Sequence, residues 1–128
     1  MKMIKTNEIK IYIEDAETTR KRVRKDLVDI EKGIIKTMRE NSISFKSLEQ
    51  MRSFLTPKRL ELLKVIKREN PNSIYNLAKI VKRSSENVNS DIKLLKQLGF
   101  VKIEKVKDNR KRSIPKVDYN KLILEIAL

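Results

Sequence analysis

Between Ser84 and Leu98 the sequence places Glu86, Ser90, Lys93 and Gln97, flanked by Asn89, on one side of a helix, and Val88, Ile92 and Leu95 on the other. The sorting follows from a helical turn of about 100° per residue. The polar set has the chemistry of a base reader: Asn and Gln amides can bond adenine edges, Lys donates to guanine, and Ser bonds bases or phosphates. Glu86 is the odd member, able to accept from cytosine or to support the helix cap. Ser84 or Ser85 caps the segment, and Ser85 at its N-terminus can turn backbone N–H groups toward a phosphate. Arg83, just before the cap, and Asn87, at the side of the helix, join Ser84, Ser85, Asn89, Ser90, Lys93 and Gln97 as candidate DNA contacts.

A second cluster follows at once. Residues 102–116 carry seven basic and two acidic residues, concentrated around Lys107, Asn109, Arg110, Lys111 and Arg112 at the tip of an expected hairpin. Beside a base-reading helix, such a tip is expected to stand away from the protein and to track a phosphate backbone or enter a minor groove. The alternative is a lysine-rich edge that blocks aggregation. A third run, Arg20 to Lys25, has five basic residues in six. It suits flanking phosphates or the solvated face of a helix, and it lacks the aromatic anchors of a membrane-binding segment.

The rest of the composition narrows the field. The 128 residues carry a formal net charge of +14, with 31 Lys+Arg against 17 Asp+Glu and a pI near 10.1. A surplus this large repels itself unless a polyanion is nearby, which makes nucleic acid the first partner and an anionic membrane surface the second. There is no Cys and no His. Zinc fingers, thiolate chemistry, disulfide frameworks and His-based proton transfer are excluded, so no metal is expected. The two glycines, Gly33 and Gly99, cannot make a phosphate loop, and no acidic pair stands in an apolar setting; neither an enzyme nor a cofactor is expected. No apolar run approaches the roughly 20 residues that span a bilayer. The N-terminus lacks the apolar core of a signal peptide, and the expectation is a cytoplasmic protein.

The elements that must position these groups can be read from caps and periodicity. Ile9, Ile11 and Ile13 alternate within an expected strand over 3–13. Residues 16–40 read as one long helix, because Val23, Leu27, Ile30, Ile34 and Met38 recur at spacings of 4, 3, 4 and 4. That stripe is expected to form a dimer seam with a second subunit, or else to pack on the rest of the chain. Ser47 and Gln50 make a capping-box pattern for a short helix with Leu48, Met51 and Leu55 inward. Thr56-Pro57 opens a helix to about Glu69. Ser73 opens another over 74–81, and Ser84 or Ser85 the polar-faced one, which Gly99 closes. Phe45, Phe54, Tyr75 and Phe100 read as core. Phe100 to Val106 alternate as a strand, and Ile114 to Val117 return, with Pro115 marking an edge. The tail, residues 119–128, fits a strand or a short helix.

Helix, short helix, helix and hairpin is the order of a winged helix-turn-helix. The expected fold is therefore mainly α with a small β component (α+β), with a long N-terminal helix and terminal strands. Three parts are expected: 1–42 for dimerisation, 43–117 for DNA, and 118–128 as a packing or dimer-contact tail.

The stretches Ser44–Glu49, Leu55–Leu63, Ser73–Ala78 and Arg83 through Asn87, Val88, Asp91 and Leu95 to Val101 resemble a group of archaeal and bacterial winged-helix regulators, loosely grouped with the MarR and ArsR families. The resemblance covers about residues 43–117. It implies a dimeric DNA-binding protein with Asn87 and Asp91 in the recognition helix, Asn87 near phosphate or packed locally and Asp91 pairing with a neighbouring Arg or capping a helix. Metal-sensing members of the ArsR group use Cys or His, which this chain lacks. The expected function is a sequence-specific double-stranded DNA-binding transcription regulator acting as a homodimer. The alternatives are an antitoxin-like or adaptor protein whose main role is a protein partner, and a non-specific architectural DNA-binding protein.

Overall fold

The computed structural model of the chain describes residues 7–23, 27–28, 34–37, 42–108 and 111–128. It divides into two compact units. One joins Met1–Phe54 to Tyr119–Leu128, and the other is the intervening Leu55–Asp118.

The first unit is built on a five-stranded sheet. Strand β1 (Glu8–Ile13) runs parallel to a neighbour on each side, with Ile11 opposite Ile43 of β4 (Ser42–Phe45) and opposite Leu124 of β7 (Lys121–Ile126). Strands β2 (Leu27–Val28) and β3 (Ile34–Thr37) extend the sheet antiparallel beyond β4, giving the order β2-β3-β4-β1-β7. A strand flanked by parallel partners is usually buried on both faces. Accordingly Ile9, Ile11 and Ile13 are buried on one face and Tyr12 on the other, and all four residues of β4 are buried, Ser42 and Ser44 included. Ser44 donates to Glu14 Oε2 at 3.2 Å, and the Glu14 N–H donates to the Phe45 carbonyl at 3.0 Å. Phe45 stacks on Phe54 at the end of helix α2 (Leu48–Phe54), ring centroids 5.9 Å apart.

The expected long helix over 16–40 does not form. Helix α1 (Ala16–Val23) ends at the first residue of the supposed stripe; Leu27 lies on β2, Ile34 on β3, and Ile30 and Met38 fall outside the described residues. The helical seam of Val23, Leu27, Ile30, Ile34 and Met38 is therefore not available as a dimer surface. The segment after Val23 is rich in β-branched residues, which favour strands. It also carries Gly33, about 1 kcal/mol worse than Ala inside a helix. The decisive term is tertiary: β3 pairs Ile34 with Phe45 and Lys36 with Ile43, satisfying the backbone edge of β4. The start of α1 follows expectation, with Asp15 Oδ1 accepting from the Thr18 N–H at 2.7 Å.

Two boundaries also move. Strand β4 and α2 belong to the sheet unit, so the second unit starts at Leu55 rather than at residue 43. The tail resolves as β7, a strand of the first unit. Leu48, expected to point inward, is 40% exposed.

The second unit has the winged-helix order. Helices α3 (Pro57–Glu69), α4 (Ile74–Val81) and α5 (Ser85–Leu98) precede the hairpin of β5 (Lys102–Lys107) and β6 (Lys111–Lys116). Each helix starts on a side-chain cap: Thr56 accepts from the Arg59 N–H, Ser73 from Asn76 and Ser84 from Asn87. Each ends on a left-handed residue, respectively Asn70, Lys82 and Gly99. Leu62, Ile66, Leu77, Val88, Ile92, Leu95 and Phe100 make the core. Pro115 is buried against Ile103 on the edge strand of the two-stranded hairpin, as its missing N–H requires.

Candidate nucleic-acid interface

Helix α5 presents the expected polar face. Its apolar positions Val88, Ile92, Leu95 and Leu98 are buried, while Ser85, Glu86, Asn87, Asn89, Ser90, Lys93, Lys96 and Gln97 are exposed. The face spans the length of the helix and is held by the core beneath it, so its side chains are presented from a fixed axis. The turn into α5 is tight: Lys82 stands at φ 59°, Arg83 follows, and the exposed Ser84 is the cap. Because Ser84 spends its Oγ on the Asn87 N–H at 3.1 Å, it is a structural cap first and a candidate phosphate contact second.

Arg83 has a different environment from the one its sequence position suggests. Its Nη2 donates to Asp91 Oδ2 at 2.8 Å, and Arg59 Nε, from α3, donates to Asp91 Oδ1 at 3.0 Å. The three side chains are largely shielded, with relative exposures of 20%, 13% and 23% for Arg83, Asp91 and Arg59. Burial alone raises the Asp91 pKa. The hydrogen bonds from Arg83 and Arg59 outweigh it and hold the carboxyl below the usual carboxylate range. This cluster ties α3, the helix-turn-helix turn and α5 together, and it makes Arg83 a positioning residue. Asp91 was legible as a partner for an arginine. Arg59 was not, since it lies far away in sequence and only its i, i+4-like helical neighbours could have been weighed.

The wing is basic and partly anchored. Lys102, Lys105, Lys107 and Lys111 are exposed, and Asn109 and Arg110 lie outside the described residues. Arg112 does not extend from the hairpin as expected. Its Nη1 donates to the Asn72 carbonyl at 2.9 Å and its Nη2 to Asp108 Oδ2 at 3.0 Å. The carbonyl in the α3–α4 turn supplies a local acceptor, and a guanidinium has enough donors to satisfy it and a carboxylate together. The tip end of the hairpin is thus fastened to the helix-turn-helix through Arg112, while Lys105, Lys107 and Lys111 are exposed and Lys102, at the base, pairs with Asp118 at 3.0 Å.

Between the first turn of α4 and the wing lies a groove of about 560 Å³, lined among others by Ser73, Tyr75, Lys79, Asp108, Lys111 and Arg112. Tyr75, expected in the core, is 62% exposed, and Lys79 Nζ sits 5.0 Å from its ring centroid. The pair stands at i, i+4 on α4, a spacing at which side chains meet. Tyr75 projects about 160° around α4 from the buried Leu77 but only about 60° from the buried Ala78, so the helical period alone does not fix its exposure. The groove itself depends on the Arg112 anchor, which no local pattern announces.

The run Arg20 to Lys25 straddles the end of α1. Lys21 is exposed and lies 3.9 Å from Glu17, as on a solvated helix face, while Arg24 and Lys25 fall outside the described residues. Among the described residues no helix is long and apolar enough to cross a membrane.

No curated protein sequence matches the chain. A solved structure described as the transcriptional regulator homologue protein from Pyrococcus horikoshii OT3 superposes on 55% of this chain and 76% of that one, with 21% identity and a TM-score of 0.45. The family model HVO_A0114 matches residues 54–124, more than half of the sequence, and takes in the whole winged-helix unit and the first residues of β7. The chain is a member of the HVO_A0114 family.

Proposed function

We propose that this protein is a sequence-specific double-stranded DNA-binding transcription regulator that acts as a homodimer and carries no catalytic role. The observation that supports this best is the exposed row of Asn89, Ser90, Lys93 and Gln97 on α5, mounted on a buried apolar face and set in a helix-turn-helix with a basic hairpin in the same unit. In this reading α5 enters the major groove, where the amides and the ammonium reach base edges. Lys105, Lys107 and Lys111 of the wing neutralise backbone phosphates or line the minor groove. The groove beside α4 offers Lys79, Lys111 and the Ser73-capped helix start to a further phosphate.

The test is a salt titration of binding to the DNA upstream of the gene against scrambled DNA of equal length. With 6–10 phosphates contacted, affinity falls roughly 10³–10⁵-fold between about 50 and 200 mM salt. Preference for the upstream DNA that persists at physiological salt supports a regulator, and Lys93→Ala then weakens specific binding more than non-specific binding. Equal losses on both DNAs remove the base-reading role. Absence of binding at low salt removes DNA as the partner.

A further inference from the structure

Strand β7 ends the sheet. Among the described residues it pairs on one side only, with β1. Its apolar row, Leu122, Leu124 and Ile126, is in register with Ile9, Ile11 and Ile13 of β1, so the two rows share one face of the sheet. The β1 residues are buried at 7%, 3% and 8% exposure, whereas Leu124 and Ile126 are 46% and 49% exposed. The core face thus runs outward to an edge whose last row is open. Natural edge strands are usually blunted by charge, proline or a bulge. Here Lys121-Leu-Ile-Leu-Glu125-Ile126 carries no proline, and its only charges are of opposite sign, four residues apart.

That pattern is self-complementary. Two copies of a strand joined antiparallel about a two-fold axis perpendicular to the sheet keep their faces, so a residue can oppose only one of matching parity. With the axis at Ile123, Ile123 meets its own copy and Leu122 of each chain meets Leu124 of the other. Lys121 of each chain then stands opposite Glu125 of the other. Both charged pairs match, both leucine pairs extend the buried face, and the unpaired N–H and C=O groups of the edge find partners. We propose that β7 is the interface between two copies of this chain, joined edge to edge in this register, so that two five-stranded sheets become one. The inference rests on the homodimeric reading above and gives it a surface other than the absent long helix.

The chain contains no cysteine, so a single introduced thiol reports on one position. In the full-length protein, Ile123→Cys places a thiol on the axis, opposite its own copy at the 4.5–5.5 Å Cα separation of directly opposed strand residues, within reach of a disulfide. Treatment with diamide, which takes up the two electrons and two protons released, is expected to yield a covalent dimer at low protein concentration. Lys105→Cys, exposed on the wing, is the control expected to stay monomeric on a denaturing gel. As a second arm, Glu125→Lys sets like charges opposite each other twice and is expected to weaken the dimer by roughly tenfold or more in sedimentation velocity. Exchanging both charges (Lys121→Glu with Glu125→Lys) is expected to restore most of it. A wild-type chain that is monomeric, an Ile123→Cys variant no more readily cross-linked than Lys105→Cys, or a dimer indifferent to Glu125→Lys would overturn the proposal. Titrating the same cross-linked sample with upstream DNA separates the two readings. A covalent dimer that ignores DNA supports the edge pairing and removes the regulator, whereas a DNA-binding dimer that resists cross-linking overturns the edge pairing alone.

Discussion

The two units hold themselves together in different ways. In Leu55–Asp118 each helix is closed by a side-chain cap at one end and a left-handed residue at the other, and successive elements pack on their neighbours. In the sheet unit the pairings of β1 are not local: it takes its partners from β4 and from β7, with the whole winged helix lying between the last two in sequence. The winged-helix unit is therefore specified by short-range chemistry that fixes a helix axis. The sheet unit is specified by which distant strands meet. Substitutions should respect that division, each unit yielding to changes that leave the other folded.

The largest effect is expected from Phe45→Ala. Phe45 is 1% exposed on the sheet's central strand, and truncating a buried aromatic costs about 3–5 kcal/mol. Hydrogen exchange should show β1 and β4 amides losing protection while α5 keeps its own. If α5 opens in step, the two units are not separate cooperative blocks. Next is Asp91→Ala, which strands two shielded arginines. About 2–3 kcal/mol is expected in denaturant unfolding, below the range for fully buried pairs because the arginines keep about a fifth of their surface in water.

The same carboxylate gives the winged helix an acid dependence. Its folded pKa lies below the unfolded value of about 3.9. Its contribution is therefore complete above about pH 4 and disappears as pH falls through the folded value. Asp91→Asn should flatten that acid limb, and a limb of unchanged steepness would assign it to other carboxylates. Smaller again is Ser73→Ala, which removes the α4 cap, at about 1 kcal/mol. The smallest is a gain. Lys82 holds φ 59°, a region that penalises a Cβ, and Lys82→Gly should stabilise by about 0.5 kcal/mol after the added freedom of the unfolded chain is subtracted. A loss there would mean that the lysine side chain contributes more than its backbone penalty.

This division also explains what could be read in advance. Thr56-Pro57, Ser73, Ser84 and Gly99 each announce a helix end through chemistry confined to a few residues, and all four hold in the structure. The exposed face of α5 follows from the 3.6-residue period once those ends are known. The stripe from Val23 to Met38 failed because apolar spacing does not record what the neighbouring strand lacks. Only the open edge of β4 decides that Ile34 pairs with Phe45. Arg83 and Arg112 illustrate a related point: their charge and place can be read from the sequence, but not the acceptors they find inside the protein, in Asp91, Asn72 and Asp108.

The parallel pairing of β1 with β7 sets an order of events for a newly made chain. Ile9 cannot meet Leu122 until β6 has been completed and the whole winged helix lies behind it. Distant pairings of this kind form slowly, while helices built on neighbouring contacts form early. Refolding should show a fast phase in the α5 amides and a slow one in β1 and β7. During the interval β1 has only β4 beside it and waits with its other apolar edge open, the period in which the chain is most exposed to association with the wrong partner.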